Sequence, residues 1–525
     1  MRTGAQAVID ALLNGGVDVC FANPGTSEMH FVAALDEAPQ MRAILCLFEG
    51  VATGAADGYA RIAGKPASTL LHLGPGLANG LANLHNARRA HSPIVNIVGD
   101  HATYHHDCDA PLESDIELLA EWLHSPLHHP QSPHQIGAAV AGAIADAGRG
   151  RVATVLLPAD VSWSAAYTPP ASPTPAARLD NQDVECRPEP EELETVLREL
   201  KTHAECATLL LGGSATTLKG LAAAQRIAEA FGTRVLVETF PARAEHGLGA
   251  PYFERLGYLP EQVRHQFSGM THLVLVGARR PVTFFAYPGQ PNDLVPATAK
   301  VLTLSQPEGP ESVWALQELA KTLDSADVVV APPQLPADPI DPGPLTALNW
   351  AAVIARLLPT AAIISDESNT SGLVLPMETA RSPRHDVLTL TGGAIGQGLP
   401  VAIGAAVAAP DRPVIALESD GSALYTITAL WTMAREQLNI TTIILNNRAY
   451  AILQLEMHRV GATQSGSKSR RLLELDCPSI DFVATALGMG VPASRASTVE
   501  ELAEKFRAAT SEPGPHLIEA VLAPM

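Results

Sequence analysis

The chain has 525 residues, of which 46% are hydrophobic and 17% are charged, and its formal net charge is −20. This length exceeds what one hydrophobic core supports, so we expect a globular protein of two to four domains. The negative charge argues against nucleic acid or an anionic membrane as the main partner.

The six cysteines lie far apart in the sequence and show no Cys-x-x-Cys spacing. This usage argues against a disulfide framework and any obvious zinc site, and it is typical of a reducing compartment. Residues 1–13 contain Arg2 and Asp10 and have no long apolar run, so we expect no signal peptide. The sequence therefore predicts a cytoplasmic protein that is not bound to a membrane.

Two proline-rich segments divide the chain, one at residues 168–190 and the other at residues 331–344. Segments of this composition are typical of extended linkers. They separate three blocks of ordinary domain size, which we place at residues 1–166, 190–330 and 345–525.

Short apolar, β-branched runs alternate with longer amphipathic runs in all three blocks. The clearest short runs are residues 94–98, 152–157, 235–238, 273–276, 414–417 and 441–445. This alternation is typical of βαβ units, in which helices cover both faces of a parallel sheet. We therefore predict an α/β protein with three doubly wound parallel-sheet domains.

The first block carries two notable patterns. The segment Asn23-Pro24-Gly25-Thr26-Ser27-Glu28 predicts a turn, and an apolar strand at residues 43–48 leads directly to Glu49. The Gly- and Ala-rich residues 49–61 predict a closely packed helix. An isolated glutamate at a helix start is more often an acid stabilised by the helix dipole, but the strand before Glu49 and the helix after it favour a catalytic role.

Histidines of the first block offer a second kind of chemistry. His72 ends an apparent strand at residues 68–71, and its imidazole suits proton transfer because histidine titrates near neutrality. A lone histidine is nevertheless more often structural. The histidines between His101 and His134 lack metal-binding spacing, and we interpret them as polar surface or interface.

In the middle block, one apolar run is followed by Gly212-Gly213, but the GxGxxG pattern of dinucleotide-binding sites is absent from the sequence there. We therefore expect a structural middle domain, in which FAD is unlikely to bind. In the third block, residues 387–410 carry no charge. Their glycines and Pro400 favour a buried turn that leads into a helix over a membrane span.

The most specific pattern lies in the third block. A strand at residues 414–417 is followed by Glu418-Ser419-Asp420-Gly421-Ser422 and then by apolar residues at helical spacing as far as Leu438. A second strand at residues 440–445 ends in Asn446-Asn447-Arg448-Ala449-Tyr450. Parallel strands end at the same edge of a sheet, which brings the two loops together.

Asp420 and Asn447 are therefore expected side by side. A carboxylate, an amide oxygen and a backbone carbonyl form a ligand set that Mg²⁺ accepts when phosphates complete its coordination. Free N–H groups at Gly421 and Ser422 would face those phosphates. Taken alone, Asp-Gly-Ser is usually only a turn with a helix cap.

The strand, Asp-Gly-Ser, helix, strand and Asn-Asn arrangement resembles the thiamine-diphosphate motif of one decarboxylase and carboligase family. That family contains the acetolactate synthase large subunit, benzoylformate decarboxylase and pyruvate decarboxylase. It usually has Gly-Asp-Gly where this chain has Ser419-Asp420-Gly421, and the replaced glycine is not a ligand. The resemblance covers nearly the whole chain. It implies pyrimidine-binding, middle and diphosphate-binding domains, with thiamine diphosphate and Mg²⁺ as cofactors.

The resemblance also implies roles for individual residues. Asp420, Asn447 and the carbonyl of Ala449 take the metal positions, and Glu49 takes that of the acid at the aminopyrimidine. His72 and Thr26 fall on catalytic positions, where benzoylformate decarboxylases have a proton-transferring histidine and a serine. Ile395 falls on the residue that bends the cofactor. The full set of implied cofactor contacts is Asn23, Pro24, Gly25, Glu49, Asn369, Thr370, Gly393, Ile395, Gly421, Ser422, Tyr450, Ile452 and Leu453, the last two also lining the substrate pocket.

The implied activity is decarboxylation of a small 2-oxo acid, carboligation, or both, through a C2-carbanion/enamine intermediate. Two landmarks of the family are missing, since Phe284 falls where benzoylformate decarboxylases have a second histidine and Leu112 where acetolactate synthases have a polar residue. Two alternatives stay open: a cofactor-binding homologue without catalysis, in a structural or regulatory role, and a C–C lyase acting on another carbonyl compound. In this family the active site lies between two subunits, which implies a homodimer or homotetramer.

Overall fold

The computed structural model describes residues 2–166, 187–307, 309, 311–323, 340–462 and 466–523. The predicted linkers fall largely outside these residues, and Pro190 already belongs to a helix. The elements of the first part are β1 (Arg2–Thr3), α1 (Gly4–Asn14), β2 (Val19–Asn23), α2 (Met29–Ala34), β3 (Arg42–Leu45), α3 (Glu49–Ala63), β4 (Ala67–Leu71), α4 (Leu73–Arg89), β5 (Ile94–Asp100), α5 (Ile116–Trp122), β6 (Leu127–His128), α6 (Ile136–Gly148), β7 (Val152–Pro158), α7 (Ala159–Trp163) and β8 (Ala165–Ala166).

The second part continues with ten elements. They are α8 (Pro190–His203), β9 (Ala207–Leu211), α9 (Leu218–Phe231), β10 (Arg234–Val237), β11 (Ala244–His246), β12 (Glu254–Arg255), α10 (Pro260–Gln266), β13 (His272–Val276), β14 (Lys300–Ser305) and α11 (Glu311–Lys321).

The third part contains the remaining elements. They are α12 (Trp350–Leu357), β15 (Ile363–Glu367), α13 (Leu375–Thr379), β16 (His385–Thr389), α14 (Gly398–Ala408), β17 (Val414–Ser419), α15 (Asp420–Ala423), α16 (Ala429–Arg435), β18 (Ile440–Asn446), α17 (Ala451–Arg459), α18 (Ser467–Arg471), α19 (Phe482–Gly488), β19 (Ala493–Ala496), α20 (Val499–Ser511) and β20 (His516–Val521).

Three large sheets organise the described elements, as the α/β prediction requires, and β1 and β8 form a separate antiparallel pair. The six-stranded sheet has the order β3-β2-β4-β5-β7-β6 and the five-stranded sheet the order β12-β10-β9-β13-β14, and all their pairs are parallel. The seven-stranded sheet has the order β11-β16-β15-β17-β18-β20-β19. It is parallel except at β11, which pairs antiparallel with β16. The predicted domain boundaries stay a prediction, and β11 comes from the block that we assigned to the middle domain.

Each large sheet is buried on both faces, which explains the continuous apolar runs. In β17, Val414 and Ala416 pack into one core while Ile415 and Leu417 pack into another. Successive side chains of a strand point to opposite faces, so a fully apolar strand needs a cover on each side. Helices supply both covers, and this is the doubly wound arrangement.

Helices α3 and α14 pack backbone against backbone and join the first sheet to the third. A Cβ atom at Gly58 would lie 2.1 Å from the carbonyl oxygen of Val401, and one at Gly404 would lie 1.9 Å from that of Ala55. These distances leave no room for a side chain. The Gly- and Ala-rich composition after Glu49 is therefore explained by this close helix contact.

A buried ion pair strengthens the same junction. Nη2 of Arg61 lies 2.5 Å from Oδ2 of Asp57, with both side chains inaccessible to solvent. Nη1 of Arg61 donates to the carbonyl oxygens of Thr389, at 2.9 Å, and Ala242, at 3.3 Å. One guanidinium thus binds α3, β16 and the segment before β11 together.

Two local predictions need correction. The strand expected at residues 43–48 ends at Leu45, because β3 is an edge strand whose pairing with β2 stops there. The single helix expected after Asp420 is split into α15 and α16. The chain leaves the helix between them, where the hydroxyl of Thr426 donates to the carbonyl oxygen of Gly396 at 3.0 Å.

The uncharged stretch at residues 387–410 forms β16, a glycine-rich turn and α14, so the predicted turn before a helix is confirmed, although Gly393 in that turn is exposed and not buried. Gly393 and Gly396 in that turn have φ values of +76° and +93°, which favour glycine. Within the described ranges, no helix is both long and apolar enough to cross a membrane.

Candidate functional site

Glu49 begins α3 at the carboxyl edge of the six-stranded sheet and is 6% exposed. Its Oε2 accepts a hydrogen bond from Nδ2 of Asn79 on α4 at 3.0 Å. A Cβ atom at Gly76 would lie 3.3 Å from Oε1, so the first turn of α4 approaches the carboxylate closely. The side chain is buried and oriented, which a helix-start acid stabilised only by the dipole would not need.

His72 lies at the end of β4 and pairs with an acid that the sequence analysis did not single out. Its Nδ1 lies 2.8 Å from Oε2 of Glu28, which is 3% exposed. The same oxygen accepts a hydrogen bond from the backbone N–H of Gly25 at 2.8 Å, and burial raises the pKa of Glu28. The only signal for Glu28 was its place in the quoted turn, three residues after Gly25.

The Asn-Pro-Gly turn is explained by this histidine. A Cβ atom at Gly25 would lie 2.3 Å from the ring of His72, so only glycine lets the imidazole rest on the backbone there. Asn23 and Pro24 are half-buried in the same turn, and Thr26 is exposed at its end. The structure thus brings together Glu28, His72 and the predicted turn at one sheet edge.

Asp420 and Asn447 meet at the carboxyl edge of the seven-stranded sheet. Asp420 is 2% exposed, and its two oxygens accept hydrogen bonds from the backbone N–H groups of Gly421, at 2.8 Å, and Arg448, at 2.6 Å. Burial raises the pKa of Asp420, and these backbone donors partly offset the rise. Oδ1 of Asn447 accepts from the backbone N–H of Ala449 at 2.9 Å, which folds this loop around the carboxylate.

Further predicted contacts surround this pair. Nδ2 of Asn369 donates to the hydroxyl of Ser422 at 3.4 Å, and Asn369 has a φ of +48°. The ring of Tyr450 covers Gly421, where a Cβ atom would lie 2.4 Å from its Cε1. Thr370 follows in the same short 3₁₀ helix as Asn369. Carboxylate, amide and hydroxyl oxygens therefore converge here, and these groups suit a hard cation with a diphosphate.

The turn with Gly393 and Ile395 lies between the two groups. The buried carboxylate of Glu367 accepts hydrogen bonds from the backbone N–H groups of Gly396 and Gly398, at 2.7 Å and 2.5 Å. Burial raises the pKa of Glu367 to about 7. No atom approaches within 4 Å of a Cβ built at Gly393, and Ile395 is half-buried. The carboxylate of Glu367 thus fixes the turn on one side, and the space next to the α-carbon of Gly393 is open.

One amide bridges the turn to the helix that carries Glu49. Nδ2 of Asn83 donates to the carbonyl oxygens of Gly50, at 2.7 Å, and Gly396, at 3.2 Å. These acceptors are next in sequence to Glu49 and Ile395. Within the parts of the chain that the structure describes, however, no hydrogen bond or ion pair joins Glu49 or His72 to Asp420 or Asn447.

Ile452 and Leu453 lie on α17, a helix in which no residue is buried. Leu453 is 45% exposed and Ile452 is half-buried. A helix with apolar residues on an uncovered face, next to the Asn447 loop, is unusual in an isolated chain. The predicted pocket residues are therefore accessible in the single chain.

Comparison with known proteins agrees with this arrangement. The chain matches the family models for the N-terminal and C-terminal thiamine pyrophosphate binding domains of thiamine pyrophosphate enzymes, at residues 2–137 and 372–520. It is 55% identical to a Mycobacterium tuberculosis protein whose name assigns it provisionally as an acetolactate synthase large subunit, IlvX, with 99% of each chain aligned. The chain belongs to the thiamine pyrophosphate enzymes.

Other thiamine pyrophosphate enzymes are similar over the full length. Benzoylformate decarboxylase of Pseudomonas aeruginosa is 30% identical, with 99% of this chain and 98% of the relative aligned. The solved structure of a thiamine diphosphate-dependent 4-hydroxybenzoylformate decarboxylase from Rhodococcus jostii RHA1 superimposes with a TM-score of 0.86 at 25% identity and covers 100% of both chains. The resemblance that the sequence motifs indicated is confirmed. The protein is a thiamine pyrophosphate-dependent enzyme of the C–C lyase and transferase class that includes decarboxylases and acetolactate synthases.

Proposed function

We propose that this enzyme uses thiamine diphosphate and Mg²⁺ to decarboxylate a small 2-oxo acid. The observation that carries the proposal is the pairing of the buried Glu28 with the half-buried His72, on the same sheet edge as Glu49. It supplies a proton-transferring group beside an oriented carboxylate. The benzoylformate decarboxylases among the relatives support decarboxylation with release of an aldehyde.

Carboligation is the second candidate, because the relative with 55% identity carries an acetolactate synthase name. Both activities begin with the loss of CO₂ from a 2-oxo acid and differ in their final step. Decarboxylation ends with a proton from the enzyme, whereas carboligation ends with a second carbonyl compound. His72 favours the first outcome, since an imidazole donates and accepts protons near neutral pH.

The residues at the edge of the seven-stranded sheet fit a metal and a diphosphate. Asp420, Asn447 and the carbonyl of Ala449 would hold Mg²⁺, with phosphate oxygens completing its shell. The diphosphate would be bordered by Gly421, Ser422, Asn369, Thr370 and Tyr450. When bound, thiamine diphosphate supplies a nucleophilic carbon and an acceptor for the electron pair that CO₂ leaves behind.

The other residues act on protons and shape. Glu49 would hold a proton at its carboxylate, where Asn79 fixes the orientation of Oε2. Ile395 and the backbone of Gly393 would support the organic part of the cofactor above the turn that Glu367 fixes. Ile452 and Leu453 would present an apolar wall to the substrate side chain. The turn beside His72 would line the opposite side of the substrate pocket with Asn23, Pro24, Gly25 and Thr26.

A second copy of the chain would complete the site. The two groups of predicted residues have no direct polar contact within one described chain, and α17 leaves apolar side chains uncovered. A homodimer or homotetramer that places the Glu49 side of one subunit against the Asp420 side of another explains both features. We further propose that the enzyme acts in the cytoplasm.

The test is an activity assay of the purified enzyme with thiamine diphosphate, Mg²⁺ and a panel of pyruvate, branched-chain and aromatic 2-oxo acids, with and without an added aldehyde. NMR follows CO₂ and the organic product. We expect CO₂ release that a Glu49→Gln variant loses and a Glu121→Gln variant, changed at an exposed acid on α5, retains. Aldehyde as the product supports the decarboxylase, and a coupled hydroxy-ketone supports the carboligase.

Two results would overturn the proposal. Full turnover by Glu49→Gln would remove the proposed acid. Tight cofactor binding without CO₂ release from any acid would point to a lyase acting on another carbonyl compound or to a non-catalytic role.

A further inference from the structure

Three side chains of the types that bind metal ions lie close together in the middle part of the chain, away from the candidate cofactor site. Glu199 and His203 lie one turn apart on α8, and His272 begins β13. One ligand atom from each of the three lies within 4.8 Å of the others, and this is the one such group of three or more that the described residues contain. All three belong to elements of, or packed against, the five-stranded sheet, whereas Asp420 belongs to the seven-stranded sheet.

The distances are close to those of a coordinated ion. Oε2 of Glu199 lies 3.4 Å from Nε2 of His272 and 3.9 Å from Nε2 of His203. Ligand atoms bound tetrahedrally to Zn²⁺ at roughly 2.0–2.1 Å are separated by roughly 3.3 Å. The first distance already matches this separation, and the second needs a movement of about half an ångström.

The atoms that would not bind the metal already have partners. Oε1 of Glu199 lies 2.7 Å from Nζ of Lys300, which leaves Oε2 for an ion. Nδ1 of His272 lies 2.9 Å from the hydroxyl of Thr271, which leaves Nε2. Outer contacts of this kind orient carboxylate and imidazole ligands in metal sites.

The mobility of one ligand also favours binding. The rings of His203 and His272 stack at 4.2 Å, so one of them must turn to place an ion in both ring planes. His203 can do so, because its side chain is 44% exposed.

We propose that Glu199, His203 and His272 form a site for a divalent transition metal of the Zn²⁺ type, with water in the remaining position. Two imidazoles and one carboxylate suit Zn²⁺, whereas Mg²⁺ prefers oxygen ligands alone. The bound ion ties the end of α8 to the sheet at β13. Cysteine spacing could not have revealed this site, because none of its ligands is a cysteine.

The test uses the enzyme loaded with thiamine diphosphate and excess Mg²⁺ and then freed of transition metals. Calorimetric titration with Zn²⁺, and visible absorption on titration with Co²⁺, count the sites. We expect His203→Ala and His272→Ala each to lose one equivalent of Zn²⁺ that His265→Ala, a control on α10, retains. Zn²⁺ should also raise the thermal midpoint of the wild type and of His265→Ala but not of His203→Ala.

His203 is the decisive position because its exposed side chain is not needed for folding. Equal Zn²⁺ stoichiometry in His203→Ala and wild type would overturn the proposal, even if the ion binds elsewhere on the protein. Failure to bind any Zn²⁺ would do the same. Neither result bears on the thiamine-dependent activity, which is measured separately with the same samples.

Discussion

Oε2 of Glu28 lies 2.8 Å from Nδ1 of His72 and also accepts the backbone N–H of Gly25. The buried carboxylate thus fixes both the turn and the ring that rests on it. Since a carboxylate accepts the proton of Nδ1, the other ring nitrogen of His72 is left to take up or release a proton. We therefore propose that Glu28 is a positioning residue that acts through His72, the proposed proton-transferring group.

Replacement of Glu28 by Gln should lower kcat roughly 10- to 100-fold with a smaller change in KM, since the transfer step loses its oriented imidazole. The pH profile of kcat should change as well, because a neutral amide replaces the carboxyl group beside the ring. Steady-state kinetics across pH measure both effects. Glu37→Gln, at a nearby acid of the same part of the chain, serves as the control. An unchanged profile in Glu28→Gln would assign the residue a purely structural role.

Complementation tests whether the site forms between two copies. In a mixed dimer of Glu49→Gln and Asp420→Asn chains, one interface site carries both changes and the other carries neither. Random pairing should then restore about a quarter of the wild-type activity, although each variant alone is inactive. Co-expression with two different tags and measurement of the mixed fraction check this. Glu49→Gln mixed with Glu49→Ala should stay inactive. No recovery in the first mixture would mean that each chain builds its own site.

Gly404→Ala should destabilise the protein by about 1–3 kcal/mol, since the new methyl group would meet backbone atoms that cannot rotate away. Gly137→Ala is the matched change, because it lies in helix α6 with open space around its Cβ. It should be neutral or stabilise the protein by up to about 1 kcal/mol. Urea unfolding compares the two variants. Equal stability would show that α3 and α14 do not hold the close contact.

Acid should weaken the junction between β11 and β16. His385 is 3% exposed, its Nδ1–H donates to the carbonyl oxygen of Pro383 at 2.8 Å, and burial lowers the pKa of its ring. His246 is paired with it across the strands and has its pKa lowered in the same way. In acid, these two histidines are protonated more readily in the unfolded chain than in the folded chain. The free energy of unfolding therefore falls as pH drops below about 6.5.

Urea midpoints at about pH 7.5 and about pH 5.5 measure this loss. The His385→Gln variant should start with lower stability but lose less of it on acidification. His124→Gln, at an exposed histidine, should follow the wild type. If the urea midpoint of His385→Gln falls between the two pH values by as much as that of the wild type, His385 does not cause the loss of stability in acid.

Residues with strong local patterns were predicted well. The strands that became β17 and β18 are rich in apolar residues because both faces are covered, and the meeting of Asp420 with the Asn447 loop follows from their parallel pairing. Glu28 escaped notice because its role depends on a ring 44 residues away. The break after Ala423 could not be predicted either, since the contact that accompanies it joins Thr426 to Gly396, 30 residues earlier.

Pairing between segments that are far apart in the sequence also limits how much of the fold can be predicted. β11 joins the third sheet through a partner about 140 residues later in the chain, and its three residues carry no pattern that distinguishes this sheet from the second. The roles of the predicted site residues, in contrast, came from the family resemblance. Geometry adds to them the partners Asn79 for Glu49 and Glu367 for the Ile395 turn.

The glycine contact between α3 and α14 also restricts how the sequence can vary. A backbone-to-backbone contact has no side chains that could repack around a larger residue, so a change in one helix cannot be compensated within that helix. Gly58 and Gly404 should therefore stay glycine while positions that meet through side chains can vary together. A chimera that joins α3 of one relative to α14 of another should fold as long as both glycines are kept.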